Sequence, residues 1–449
     1  MDLCNGIILD KQACVCFPPI DDKCAEYQRL ENAMKLLISA LACNPLLGSE
    51  SYFGWAAVQC LARDHELWVL TSPRNRLHLE QARETGQIGE NIHFVYVGRV
   101  KEWHPNRLRA HLQGWGDYVR FSKEILPIGR ELHQRVCFDL AHHLTLSSWR
   151  IPCSLWKLGV PLVFGPVGGN ELLPLRFLSI LSPSAKCFEL TRKLSNTISQ
   201  FSPGVRSCIR RAAHVFAANA ETESLVIQLR GTRTGVSRLP AYFRPDANSS
   251  AASVPIKSAT GPLRLFAGGN LDGRKGLAMV LHALAQVKSQ GVKFHYRYGG
   301  KGPEFNRLQQ LIIQLGLQNE VQLGDSLPGK DYQEELNGAH VYLLPSLRDS
   351  FGITLAEAML AGCVPIVADC GGPGQIVSED CGYKVPVSSP AAMIEDISKI
   401  VVHLARNRDE LAKKAPAASS RITSEFSEQH YRNTVNSVYR SAVGTSSVV

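Results

Sequence analysis

Short apolar runs alternate along this chain with longer stretches in which apolar positions return every three or four residues. The first pattern suits strands buried on both faces, and the second suits helices with one covered face. Strands are predicted at 35–42, 66–71, 92–97, 136–141, 161–164 and 213–218, with helices at 51–63, 117–134 and 221–230. A second series places strands at 263–268, 292–298, 320–323, 340–344 and 364–368. Its helices fall at 276–289, 303–315, 331–337, 353–361 and 389–405, and a last helix lies near 428–442. Strand–helix alternation predicts α/β domains on parallel sheets. Between the series, 246–261 is rich in Ser, Ala, Pro and Asn and reads as a linker. The expected division is an extension over 1–33, a first domain over 34–245, the linker, a second domain over 262–425, and a terminal helix and tail over 426–449.

With 449 residues the chain exceeds one ordinary core, which agrees with two domains. A hydrophobic content of 45% and a charged content of 20% are ordinary for a globular protein. No apolar run reaches the roughly 18 residues of a spanning helix. The acidic start, with Asp2, Asp10, Asp21 and Asp22, does not read as a secretory signal. Of 13 cysteines, those from Cys43 onward follow no repeated spacing and read as reduced core residues. Cys4, Cys14, Cys16 and Cys24 do not form a standard zinc pattern, and no metal site is expected.

The net charge of +9 is unevenly spread. Between Glu171 and Arg211 seven basic residues (Arg176, Lys186, Arg192, Lys193, Arg206, Arg210, Arg211) meet two acids, Glu171 and Glu189, among interleaved apolar residues. A second basic stretch holds Arg99, Lys101, Arg107 and Arg109, near Trp103 and Trp115. Such segments suit an anionic membrane surface, or equally solvated helix faces. No nucleic-acid motif accompanies them.

The chemistry concentrates near Asp349-Ser350-Phe351-Gly352-Ile353, with Glu357 eight residues after Asp349. Phe351 and Gly352 offer backbone N–H groups where a helix begins, suited to phosphate or a sugar hydroxyl. Glu357 lies about two helical turns on, so the two acids can take separate hydroxyls of one extended ligand. Gly371-Gly372 follows. This stretch resembles the nucleotide-sugar site of family 4 glycosyltransferases, Glu-x7-Glu followed by a Gly-Gly loop, with Asp349 in place of the commoner Glu. Upstream, Gly268-Gly269-Asn270 through Arg274-Lys275-Gly276 resembles the family's diphosphate loop, with Asn270 where an Arg is usual. Gly299-Gly300-Lys301-Gly302-Pro303 resembles its Gly-Asp-Gly-Pro loop; a dinucleotide fingerprint is the rival, but a third Gly is missing. Leu327 falls in the loop that would face the nucleobase.

In the first domain, Gly48-Ser49-Glu50 through Gly54-Trp55 and Gly165-Pro166-Val167-Gly168-Gly169 resemble segments of a bacterial polysaccharide subgroup. Gly48 would let backbone approach the donor, and Glu50 would touch an acceptor hydroxyl or stabilise a helix start. His142 and His143 lie at a strand end where family members place a histidine near the reacting sugar.

The resemblance implies the GT-B architecture, two Rossmann-like domains with parallel sheets facing each other across a cleft. It implies a metal-independent, retaining hexosyltransferase with no cofactor beyond its nucleoside diphosphate sugar donor. Lys275, Asp349, Glu357 and His143 would be catalytic. Gly48, Asn270, Arg274, Lys275, Leu327, Asp349, Ser350, Phe351, Gly352, Ile353 and Glu357 would hold the donor. Glu50, His142, Gly168 and Gly169 would hold a glycan or lipid-linked acceptor, at the cytoplasmic face of the cell membrane. A sugar-nucleotide epimerase, a silent nucleotide-sugar-binding protein and a membrane scaffold are the alternatives.

Overall fold

The computed structural model describes residues 33–47, 50–100, 107–239, 257–258, 260–324, 327 and 329–446, with backbone alone for 107–113 and 445–446. Residues 1–32 of the expected extension, with Cys4, Cys14, Cys16 and Cys24, lie outside these. So do Gly48, Lys101, Trp103 and most of the linker.

The first sheet holds β1 (Lys35–Ser39), β2 (Glu66–Thr71), β3 (Ile92–Tyr96), β4 (Leu140–His143), β5 (Leu162–Val167), β6 (His214–Ala217) and β7 (Val236–Arg238). Its order is β3-β2-β1-β4-β5-β6-β7, with every pairing parallel. The second holds β8 (Leu263–Gly268), β9 (Phe294–Gly299), β10 (Val321–Gly324), β11 (Val341–Leu344), β12 (Val364–Ala368) and β13 (Tyr383–Val385). Its order is β10-β9-β8-β11-β12-β13, again parallel. Central strands such as β11 and β12 are buried along their whole length, which explains their unbroken apolar runs. In each sheet the order reverses once, at β1/β4 and at β8/β11. Loops at the carboxyl ends of such strand pairs diverge and leave room for a ligand.

One strand differs from expectation. The hydrophobic pattern predicts a strand over 136–141, but the Arg107–Val136 helix runs through its start and β4 begins at Leu140. Cys137 ends the helix in the left-handed region at φ 59°, and Leu140 is the first residue in register, opposite Leu36. The three-residue strands β7 and β13 were not expected, because so short a run carries no pattern.

Packing divides the chain into two units. The first takes the described residues up to Gly169, Ile198–Leu239 and those from Tyr431; the second takes Asn170–Thr197 and those from Lys257 to His430. Residues 170–197, expected in the first domain, therefore pack with the second sheet. Phe177 and Leu181 join the core that holds Leu271 and Leu277, and Arg307 Nη2 donates to the Ile180 carbonyl at 2.7 Å. The Glu428–Ser446 helix buries Tyr431, Val435, Tyr439 and Ala442, one helical stripe, in the first unit. There Tyr431 meets Phe53 edge-on, and Asn436 Oδ1 lies 2.9 Å from His65 Nε2.

Candidate active site

In the second unit the reversal between β8 and β11 brings two distant loops together. The loop after β8 carries Asn270, Asp272, Arg274 and Lys275; the loop after β11 carries Arg348 to Gly352. Backbone contacts pin them: Leu347 N–H donates to the Arg274 carbonyl at 2.8 Å, and Arg274 Nη1 donates to the Arg348 carbonyl at 2.7 Å. Lys275, only 6% exposed, then reaches Asp349, its Nζ 2.6 Å from Oδ2. The Gly352 N–H donates to the other carboxylate oxygen at 3.3 Å.

Gly371 and Gly372 close this loop from the β12 side. Gly372 N–H donates to the Asp349 carbonyl at 2.8 Å. A Cβ on Gly371 would lie 2.4 Å from that same oxygen, so only glycine permits the approach. The Ile353–Leu360 helix starts at Gly352, in the left-handed region at φ 71°, and carries half-buried Glu357 one helical face on. Its Thr354 accepts the Tyr342 hydroxyl at 2.8 Å, tying the helix to β11. Leu327 stands apart from this cluster, packed on Gly299 at the end of β9.

Each expected cation has an acid. Arg274 Nε lies 3.0 Å from Asp272 Oδ2, which also accepts Asn270 Nδ2 at 3.1 Å. Burial pushes the Asp349 carboxyl up. Lys275 and Arg274, the Lys275 hydrogen bond and the Gly352 N–H outweigh it, and the carboxyl titrates at about 2. Asp349 is therefore ionised at neutral pH. The arrangement is a fixed, alternating set of two cations and two carboxylates, and groups of these kinds can meet phosphate and hydroxyls respectively.

In the first unit the reversal between β1 and β4 sets Ser39 opposite His143. Ser39 Oγ lies 3.1 Å from His143 Nδ1, and the Tyr118 hydroxyl 3.4 Å from His143 Nε2. His142 points the other way. Its Nε2 donates to the Gly165 carbonyl at 2.7 Å and its Nδ1 meets the Tyr439 hydroxyl at 2.5 Å, with no exposed surface. Both of its ring nitrogens are thus taken by protein, which leaves it no group for an acceptor. Burial lowers both imidazoles, His142 to about 3 and His143 to about 4. Glu50 begins the Glu50–Leu61 helix and accepts the Ser147 N–H at 2.7 Å and its hydroxyl at 2.9 Å. Gly168 N–H donates to the Ser147 carbonyl at 2.8 Å, and Gly169 follows at φ 103°. Glu50, Gly168 and Gly169 are thereby joined through Ser147.

A model of the family "Glycosyl transferases group 1" matches residues 252–417. The described residues of that match all lie in the second unit. A protein that bears the name of a colanic acid biosynthesis glycosyltransferase, WcaL of Escherichia coli K12, is 31% identical over 39% of this chain. The amylovoran biosynthesis glycosyltransferase AmsK of Erwinia amylovora is 26% identical over 37% of this chain. The matched part spans under half of those relatives, 44% and 42% of their lengths. Among solved structures, Anabaena Alr3699/HepE in complex with UDP and glucose superposes with a TM-score of 0.59 at 18% identity, covering 91% of this chain and all of that one. Sucrose-phosphate synthase from Thermosynechococcus elongatus does so with a TM-score of 0.63 at 16% identity, covering 92% of this chain and 100% of its own. These likenesses show the fold, GT-B.

Within the second unit, the loop that carries Asn270, Arg274 and Lys275 lies against the segment Asp349, Ser350, Phe351, Gly352 and Ile353. Asp272 escaped sequence reasoning, although it stands two residues before Arg274, within side-chain reach. Ser147 and Tyr118 had no signal at all, since their roles arise from contacts 97 and 25 residues away.

Proposed function

We propose that this chain is a retaining glycosyltransferase that moves a sugar from a nucleoside diphosphate sugar to a hydroxyl of a glycan or lipid-linked acceptor. The pathway class is polysaccharide or glycolipid synthesis at the inner face of the cell membrane. The observation that carries the reading is the Lys275–Asp349 pair, held at the strand-order reversal and closed by Gly371-Gly372. The names of the polysaccharide relatives support the same class.

In this mechanism Lys275, with Arg274 beside it, stabilises the charge that grows on the diphosphate as the sugar leaves. Asp349 accepts a hydroxyl of the transferred sugar through the oxygen that faces away from Lys275, which accepts the Gly352 N–H at a long 3.3 Å. Glu357 takes ribose hydroxyls. The departing phosphate receives the acceptor's proton on the same face, so no protein base is required. No metal enters these steps.

A donor screen tests this: binding and slow hydrolysis of UDP-, GDP- and ADP-sugars. UDP-sugars come first, because the HepE complex contains UDP. One donor bound and hydrolysed, with both lost in Glu357→Ala, is the expected result. A well-folded protein that binds none of them overturns the proposal.

A further inference from the structure

The Pro183–Ser199 helix is built inside out. A surface helix normally turns its apolar stripe to the core and its polar face to water. Here Phe188, Leu190, Leu194 and Ile198 are 45%, 48%, 60% and 62% exposed, and Cys187 is exposed with them. Positions 187, 190, 194 and 198 recur every three or four residues and form one outward stripe. The inward face is polar: Glu189 and Asn196 are buried, and the Arg192 side chain is 12% exposed.

Ion pairs hold that inward face in place. Glu189 Oε1 accepts Arg348 Nη2 at 2.8 Å, and Arg192 lies 3.9 Å from Glu171. A half-turn that buried the leucines would strand these charges, so the helix is locked with its apolar side out.

We infer that this outward face docks on an anionic lipid bilayer. Contiguous exposed apolar residues mark a surface that something else covers. The charge on the face selects what covers it. Lys193 is exposed and Lys186 half-buried, while Glu189, the only acid of the helix, is turned inward. The face is therefore apolar and purely cationic, the composition of an interfacial helix. A second copy fits less well, because a two-fold pairing would set these like charges against each other. Through Glu189 the docked helix also grips Arg348, the neighbour of Asp349, and so holds the donor segment at a fixed place relative to the lipid. The inference does not depend on sugar transfer.

The test is co-sedimentation of the full chain with vesicles of phosphatidylcholine, alone or mixed with phosphatidylglycerol. Binding to the mixed vesicles, weakened by salt, is expected. Phe188→Ser, Leu190→Ser and Leu194→Ser together should weaken it by about tenfold or more, with circular dichroism unchanged. Should that triple variant misfold, Lys186→Glu with Lys193→Glu carries the test and must likewise reduce binding. Wild-type protein that ignores anionic vesicles at low salt overturns the inference, as does undiminished binding by folded variants. A dimer by light scattering that the triple variant splits would assign the face to a second copy instead.

Discussion

Lys275 and Asp349 are 74 residues apart in the chain and 2.6 Å apart in the structure. The carboxyl, brought to about 2 against an ordinary value of 3.8, contributes about 2 kcal/mol of stability. A depressed carboxyl stabilises the fold above its unfolded value, and the contribution disappears as pH falls through about 2. Lys275→Met should therefore raise the Asp349 titration above about 2, since burial then acts with less opposition. Carbon NMR of the carboxyl reads this directly, and a titration still near 2 would show that Lys275 is not the cause. The same variant should weaken UDP binding by about tenfold or more, a loss of about 1.4 kcal/mol. The residue types of this site were legible in the sequence because the motif it resembles sets a cation, two acids and glycines in order. The pairing was not, since each contact crosses from the β8 loop to the β11 loop.

At the scale of elements, the loops are set by close approaches that a side chain would obstruct. Gly276 joins the Lys275 turn to its helix at φ 72°, and a Cβ there would lie 2.6 Å from the Pro345 carbonyl oxygen. Gly291 has nearly the same backbone, φ 74°, with nothing within 4 Å of its Cβ position. Gly291→Ala should cost about 1 kcal/mol, the price of the left-handed conformation alone. Gly276→Ala should cost about 2 kcal/mol more, because the β11 loop must also shift. Urea unfolding of both variants checks the difference, and equal losses would mean that the two loops do not meet as described. The helices and strands themselves follow the hydrophobic periodicity closely. The misplaced start of β4 came from reading an apolar helix end, Val136-Cys137-Phe138, as strand; the left-handed turn at Cys137 leaves no trace in hydrophobicity.

Over the whole molecule, the two units carry different probes. Five of the six tryptophans, Trp55, Trp68, Trp115, Trp149 and Trp156, are described residues of the first unit, so the tryptophan signal reports mainly on it. That unit buries His142 and His143 neutral, at about 3 and about 4 against 6.5. Lowered imidazoles stabilise the fold fully above the unfolded value, and that stability is lost as pH falls below 6.5 toward the folded values. Each should remove about 1.4 kcal/mol per pH unit over that window. The urea midpoint of the tryptophan signal should drop steeply between pH 6.5 and 4.5. A flat midpoint there would mean that these imidazoles are already protonated in the fold.

The sequence by itself determined the local terms: which runs become strands, which stretches become helices, that two such series exist, and which residue types gather at one site. Periodicity and motif spacing act over a few residues, and they are written in the chain. Tertiary structure alone decided three things. It ordered the strands so that β8 meets β11, it gave residues 170–197 to the second unit, and it turned the polar face of the Pro183–Ser199 helix inward. Each depends on partners far along the chain, as Glu189 depends on Arg348, 159 residues away. The pattern of a helix shows that it has an apolar side; only the charges that meet it show which side faces the core.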